Sequence, residues 1–113
     1  MKIINVAPRE RWKVVFKDDG NWQAGIYYPE YTSKDEIRLL EKHDAPELFY
    51  LITGRIVLVL SNDLKEIKEI EMKPGKLYIV DEWHNAYRPN GETGIALVIE
   101  KTDIKTEYGE INR

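Results

Sequence analysis

His43-Asp44-Ala45-Pro46-Glu47-Leu48-Phe49-Tyr50-Leu51-Ile52-Thr53-Gly54 is the stretch whose reading decides the fold. It joins two side chains of the kinds that ligate metals, His43 and Glu47, to an apolar run that stops at a glycine. Leu48 to Thr53 reads as a short strand, and Gly54 as a turn or bulge. The only other histidine, His84, ends a second such segment, Pro74-Gly75-Lys76-Leu77-Tyr78-Ile79-Val80-Asp81-Glu82-Trp83-His84, in which Pro-Gly opens a strand.

Working outward, Glu36 to His43 is rich in helix formers, but eight residues make a short helix and Pro46 follows closely. As a strand it sends Ile37, Leu39, Glu41 and His43 to one face and Arg38, Leu40 and Lys42 to the other. That is the reading preferred here. Upstream, Trp12 to Lys17 alternates, Asp18-Asp19-Gly20-Asn21 is a hairpin turn, and Trp22, Ala24, Ile26 and Tyr28 share a face of the next strand up to Pro29. Tyr31 to Asp35 reads as a loop.

Downstream, Arg55 to Ser61 has apolar residues in both phases, as in a strand covered on both faces. Lys65 to Met72, Leu77 to Val80, Trp83 to Arg88 and Gly94 to Glu100 complete the strands, divided by Asn62-Asp63, Pro74-Gly75 and Pro89-Asn90-Gly91. The tail from Thr102 to Arg113 is charged and is expected to pack at an edge or fray. Short strands at this spacing predict an all-β, antiparallel jelly-roll sandwich or barrel, one domain over residues 1–113.

Composition narrows the function classes. A net charge of −3 argues against nucleic acid as a partner, because phosphate binding wants a basic face. The absence of cysteine excludes disulfides, thiol catalysis and cysteine-based zinc sites, and fits a cytoplasmic location. Residues 1–10 lack the apolar run of a signal peptide, and no run is long enough to span a bilayer.

With these elements in place, the chain resembles the cupin superfamily over roughly residues 22 to 100. The first cupin motif has two histidines one residue apart, then a glutamate, then a glycine seven residues on. Here Glu47 and Gly54 keep that spacing, His43 takes the second histidine position and Glu41 replaces the first, within residues 36–54. The second motif has a Pro-Gly-opened strand, a histidine and often an asparagine. Here Pro74, Gly75 and His84 match, and Arg88 stands in place of the asparagine, within residues 74–90.

The resemblance implies a divalent metal in the barrel mouth, held by His43, Glu47 and His84. Two imidazoles and a carboxylate suit iron(II), and related sets suit manganese, zinc or nickel. Glu41 is a fourth ligand, a general base beside the metal, or an unligated salt-bridge partner. Arg88 is expected to pair with a surface carboxylate. Tyr50, Tyr78, Trp83 and Tyr87 are candidates for pocket walls and, as aromatics more often are, for core. No organic cofactor is expected.

Three functions follow from this reading: a metal-dependent dioxygenase, isomerase or lyase acting on a small polar molecule, a metal-free or weakly metal-binding module for a small ligand, and a dimer brick. In the last, Trp12, Trp22 and the first strand pair with a second subunit, and a homodimer is compatible with the other two functions.

Overall fold

The computed structural model describes residues 1–7 and 10–112. Its strands are β1 (Trp12–Asp18), β2 (Trp22–Tyr27), β3 (Leu39–His43), β4 (Glu47–Gly54), β5 (Val57–Ser61), β6 (Lys68–Glu71), β7 (Leu77–Val80), β8 (Trp83–Tyr87), β9 (Gly94–Lys101) and β10 (Thr106–Glu110). Short 3-10 turns occupy Lys34–Glu36 and Pro89–Gly91. The strands form two five-stranded antiparallel sheets, ordered β1-β2-β9-β4-β7 and β10-β3-β8-β5-β6. Among the described residues no ladder joins one sheet to the other, so the architecture is a jelly-roll sandwich of two sheets.

Local chemistry sets the reversals. In the β1–β2 turn, Gly20 takes φ +81°, open to glycine at no steric cost, and the Asn21 backbone N–H donates to the Asp18 carbonyl at 2.9 Å. Gly54 ends β4 at φ +77°, where a Cβ would lie 1.9 Å from the Thr93 carbonyl oxygen. Only glycine lets the end of β4 approach the start of β9 this closely.

Period-two alternation fills the space between the sheets. Phe49 and Leu51 of β4, Val98 of β9, Leu58 and Leu60 of β5, and Ala86 of β8 form the main core with Val80. Burying each of the larger side chains stabilises the fold by about 1.5–3 kcal/mol. The outer face of the second sheet carries a second cluster, Ile37, Leu40 and Val59, covered by Tyr31, Leu64, Ile67, Trp83, Tyr87 and Ile111. The two apolar phases of Val57–Ser61 therefore meet the sandwich core on one side and the chain's own loops on the other, rather than a second sheet on each.

Two expectations need correction. The strand proposed for residues 36–43 begins only at Leu39, because Lys34–Glu36 closes a capped 3-10 turn in which Glu36 Oε1 accepts from Thr32 and Ser33. Ile37 therefore leaves the phase of Leu39, Glu41 and His43: it is fully buried beside Leu40, while Leu39 is exposed. Among the described residues Arg88 pairs with no carboxylate. Its guanidinium donates to the carbonyls of Pro29, Gly91 and Glu92 and stacks over the Tyr28 ring at 4.1 Å. Of the two outcomes expected for the charged tail, packing at an edge is the one observed. Thr106–Glu110 pairs with β3 as an edge strand.

Candidate metal centre

Residues from both sheets meet at one end of the sandwich. β3 carries Glu41 and His43 on its inner phase, and Glu41 is directly opposite His84 of β8. Glu47 opens β4 in the facing sheet and is buried. The sequence-predicted set therefore converges. His43 Nε2 lies 2.8 Å and His84 Nε2 3.0 Å from the same oxygen, Glu47 Oε1. Glu41 Oε2 is 3.7 Å from His43 Nε2, and Glu41, His43 and His84 offer ligand atoms within 4.8 Å of one another.

The far nitrogens are anchored. His84 Nδ1 lies 2.9 Å from the Glu82 carbonyl oxygen, which can only accept, so Nδ1 carries the proton. In a neutral ring the His84 Nε2 lone pair then faces the pocket. His43 Nδ1 lies 2.9 Å from Thr106 Oγ1. Fixing one ring nitrogen while the other points at a common centre is how metal-ligating histidines are held.

Glu47 Oε1 is buried and receives no hydrogen bond of ordinary geometry despite the two nearby ring nitrogens. His84, with its proton on Nδ1, turns the Nε2 lone pair of its neutral ring toward this oxygen, and a cation between the donors removes that repulsion. With metal–ligand bonds of about 2.1 Å, neighbouring donors lie about 3.0 Å apart in an octahedron and about 3.4 Å apart in a tetrahedron. The observed 2.8 and 3.0 Å lie close to such donor–donor spacings. The residues present thus fit a divalent ion.

Electrostatics support the same set. Burial opposes ionisation of Glu47, but its contacts with His43, His84 and Glu100 outweigh burial and hold the carboxyl far below the usual carboxylate range. Glu100, inward on β9, is pushed up to about 7 by burial and by its contact with Glu47, although Gln23 Nε2 donates to its Oε2 at 2.6 Å. Two carboxyl groups in contact cannot both ionise cheaply, so Glu47 stays charged and Glu100 keeps the proton. Burial lowers the His43 pKa, and the carboxylates of Glu47 and Glu41 more than compensate, leaving it raised.

A cavity of about 250 Å³ opens over these donors. Trp12, Phe49, Leu58, Val98 and Ile104 give it apolar walls, and Arg11, Tyr27, Thr106 and Tyr108 bring polar groups. None of Tyr50, Tyr78, Trp83 and Tyr87 lines it. Tyr50 is exposed on the outer face, Tyr78 packs against the main core, and Trp83 and Tyr87 cover the second cluster. Trp12 faces the cavity, against Gly25, rather than an outer surface.

Sequence reasoning passed over Arg11, Gln23, Glu100 and Thr106. Arg11 Nη2 donates to Glu41 Oε1 at 3.0 Å, so Glu41 bridges the guanidinium and the histidine pair. Glu100 left a signal: it shares the inward phase of Ala96 and Val98, a carboxyl on a core face. Arg11 and Thr106 left none beyond alternation in charged segments.

No family model matches the chain, and no curated protein matches it. Solved structures do. One is a protein with a double-stranded β-helix domain from Klebsiella pneumoniae, with TM-score 0.67 at 14% identity over 96% of this chain and 90% of that one. Another is a cupin 2 domain-containing protein from Halorhodospira halophila, with TM-score 0.66 at 13% identity over 90% and 70%. A third is the cobalt(II) form of HppE in complex with substrate, with TM-score 0.63 at 16% identity over 85% of this chain and 57% of that one. The chain thus spans little more than half the length of that enzyme. At these identities the likeness is one of fold: the chain has the cupin fold.

Proposed function

We propose that this chain is a metal-dependent enzyme of cupin type acting on a small polar molecule, by dioxygenation, isomerisation or elimination. His43, Glu47 and His84 hold a divalent ion, and Glu41 serves as the acid–base group. The observation that carries the reading is the approach of two Nε2 atoms to one otherwise unsatisfied carboxylate oxygen, Glu47 Oε1. The cobalt(II) form of HppE, of the same fold, supports it by analogy.

A bound divalent ion supplies Lewis acidity and open positions for a substrate oxygen. The protein's own groups do the rest. Glu41 Oε2, at the cavity surface, accepts or returns a proton, while Arg11 on Oε1 holds the Glu41 side chain in place. Arg11 also gives an anionic substrate end a partner at the rim. Thr106 and the Glu82 carbonyl keep Nε2 of each histidine aimed inward. The apolar walls exclude water around the reacting atoms.

Metal analysis by mass spectrometry on protein purified without chelator tests the proposal, beside the His43→Ala/His84→Ala variant. Near-stoichiometric iron, manganese, zinc or nickel, lost in the variant, is the expected result. No metal in the wild type after reconstitution with each ion would sink it and favour the alternative, a metal-free binding module. The apolar cavity walls are the feature that suits that alternative.

A further inference from the structure

One wall of the cavity is an edge strand and the residues that lead into it. Ile104, Thr106 and Tyr108 line the cavity at every second position. β10 has β3 as its only neighbour in the sheet. Its far end is tied by the N–H groups of Ile111 and Asn112, which donate to the carbonyls of Arg38 and Leu64 at 3.0 and 2.8 Å. Its near end begins at Thr106, which lies opposite His43 in the ladder and holds that ring. Strand ends open most readily, so whatever closes this one bears on the centre.

The closure is Asp44. Beyond the pair of Thr106 and His43, register makes Lys105 and Asp44 the next rung. A hydrogen-bonded antiparallel rung exchanges two main-chain bonds. Here the Asp44 N–H donates to the Lys105 carbonyl at 3.1 Å, but the return bond goes to a side chain: the Lys105 N–H donates to Asp44 Oδ1 at 3.1 Å. The rung thus stays closed while the chain bends at residues 44 and 45 toward Glu47 of β4. Asp44 Oδ2 also accepts from Lys101 Nζ at 2.8 Å, at the end of β9 in the other sheet. The Asp44 and Lys101 side chains are 37% and 44% exposed, and an ion pair this open to water adds little stability.

We infer that Asp44 is a positioning residue: by closing the rung at Lys105 it fixes the Thr106 hydroxyl, and through it the direction of the His43 ring. His84 needs no such device, because its Nδ1 is held by the main-chain carbonyl of Glu82, just before its own strand. The effect of Asp44 on metal binding rests on His43 being a ligand, as proposed above.

Nitrogen NMR of the two imidazoles in the metal-free protein, at a pH where both rings are neutral, tests the inference without a metal. In Asp44→Ala the His43 signals should move toward those of a free imidazole, while the His84 signals stay in place. Asp44→Asn keeps an acceptor for the Lys105 N–H and should restore the wild-type spectrum. Lys101→Met removes only the ion pair and should leave the spectrum unchanged. Circular dichroism and melting check that each variant folds. Manganese(II) titration against a competing chelator reads the same contact. Asp44→Ala should bind about 10-fold more weakly than the wild type, and Asp44→Ala/Thr106→Val no more weakly than Thr106→Val alone, because both changes act at one contact. His43 signals that stay in place in Asp44→Ala, His84 signals that move with them, or losses of affinity that add in the double variant overturn the inference. A wild type that binds no divalent ion overturns the metal reading instead, and the metal-free spectra still decide the role of Asp44.

Discussion

His84 donates its Nδ1 proton to the carbonyl oxygen of Glu82, two residues earlier in the chain, at 2.9 Å. The acceptor is main chain and fixed by the approach to β8, so no side-chain rotation can release the tautomer. His43 is held differently, by the hydroxyl of Thr106 on the edge strand β10. This asymmetry sets the first prediction. Thr106→Val should weaken metal binding about 10- to 100-fold, because it leaves His43 Nε2 without a fixed direction, while Thr106→Ser should bind like the wild type. Titration against a competing chelator reads the difference. Equal affinity in all three proteins would mean that the Thr106 contact does not orient the ring.

The second prediction concerns stability. An ion bound only by the folded state stabilises it by RT ln(1 + [L]/Kd), about 2.7 kcal/mol at a hundredfold excess over Kd. Manganese or iron(II) should therefore raise the melting temperature of the wild type, and Glu47→Gln should abolish the rise. Leu39→Glu should keep it. A melting temperature that is indifferent to every divalent ion would remove Glu47 from the ligand set.

How much of this was legible in the sequence depends on the kind of constraint. The strand at Leu48 to Thr53 was legible from its apolar run, but the inward phase of Phe49 and Leu51 was not, because Leu48 to Ile52 is apolar or aromatic in both phases and alternation cannot choose between them. That His43, Glu47 and His84 meet at one place was legible because residue type and spacing both marked them. Arg11, Gln23 and Thr106 were not, because what matters in each is a partner far along the chain: Glu41 for Arg11, Glu100 for Gln23, His43 for Thr106. Ile37 misled because a 3-10 turn ends just before it and resets the phase, and a local hydrogen-bond pattern of that kind is invisible to period-two counting. Arg88 satisfied carbonyls, which a charge-pairing argument does not consider.

The third prediction is a pH dependence of the metal-free protein. Glu100 rises from an ordinary 4.5 to about 7 in the fold, so between those values the native state holds a proton that the unfolded chain has released. Stability must then fall as pH rises through this window, by at most about 1.4 kcal/mol per pH unit for one group. His43, with its pKa raised, acts in the same direction: its contribution is full below its ordinary 6.5 and is lost as pH rises through the folded value. Glu47, held low, contributes at all pH values above its ordinary 4.5 and loses its contribution only in acid. Denaturant titrations from pH 4.5 to 8 should show the decline, and Glu100→Gln should flatten it. A wild-type stability that climbs over this range would contradict the proton placement.

The last prediction separates the cavity wall from the metal ligands. Gly25 of β2 has no side chain because the Trp12 indole occupies that place: a Cβ on Gly25 would lie 2.1 Å from Trp12 Cη2 and 2.4 Å from Cζ2. Gly25→Ala must therefore push the indole off its seat, and overpacking of this kind costs about 1–3 kcal/mol. Trp12 lines the cavity but offers no ligand, and His43, Glu47 and His84 sit on β3, β4 and β8. The variant should melt lower and show altered tryptophan fluorescence. Its metal affinity should stay within about threefold of the wild type, a difference well under 1.4 kcal/mol. If metal affinity instead falls as far as in Thr106→Val, the cavity wall and the ligand set move as one unit, and Trp12 must be counted among the groups that position the centre.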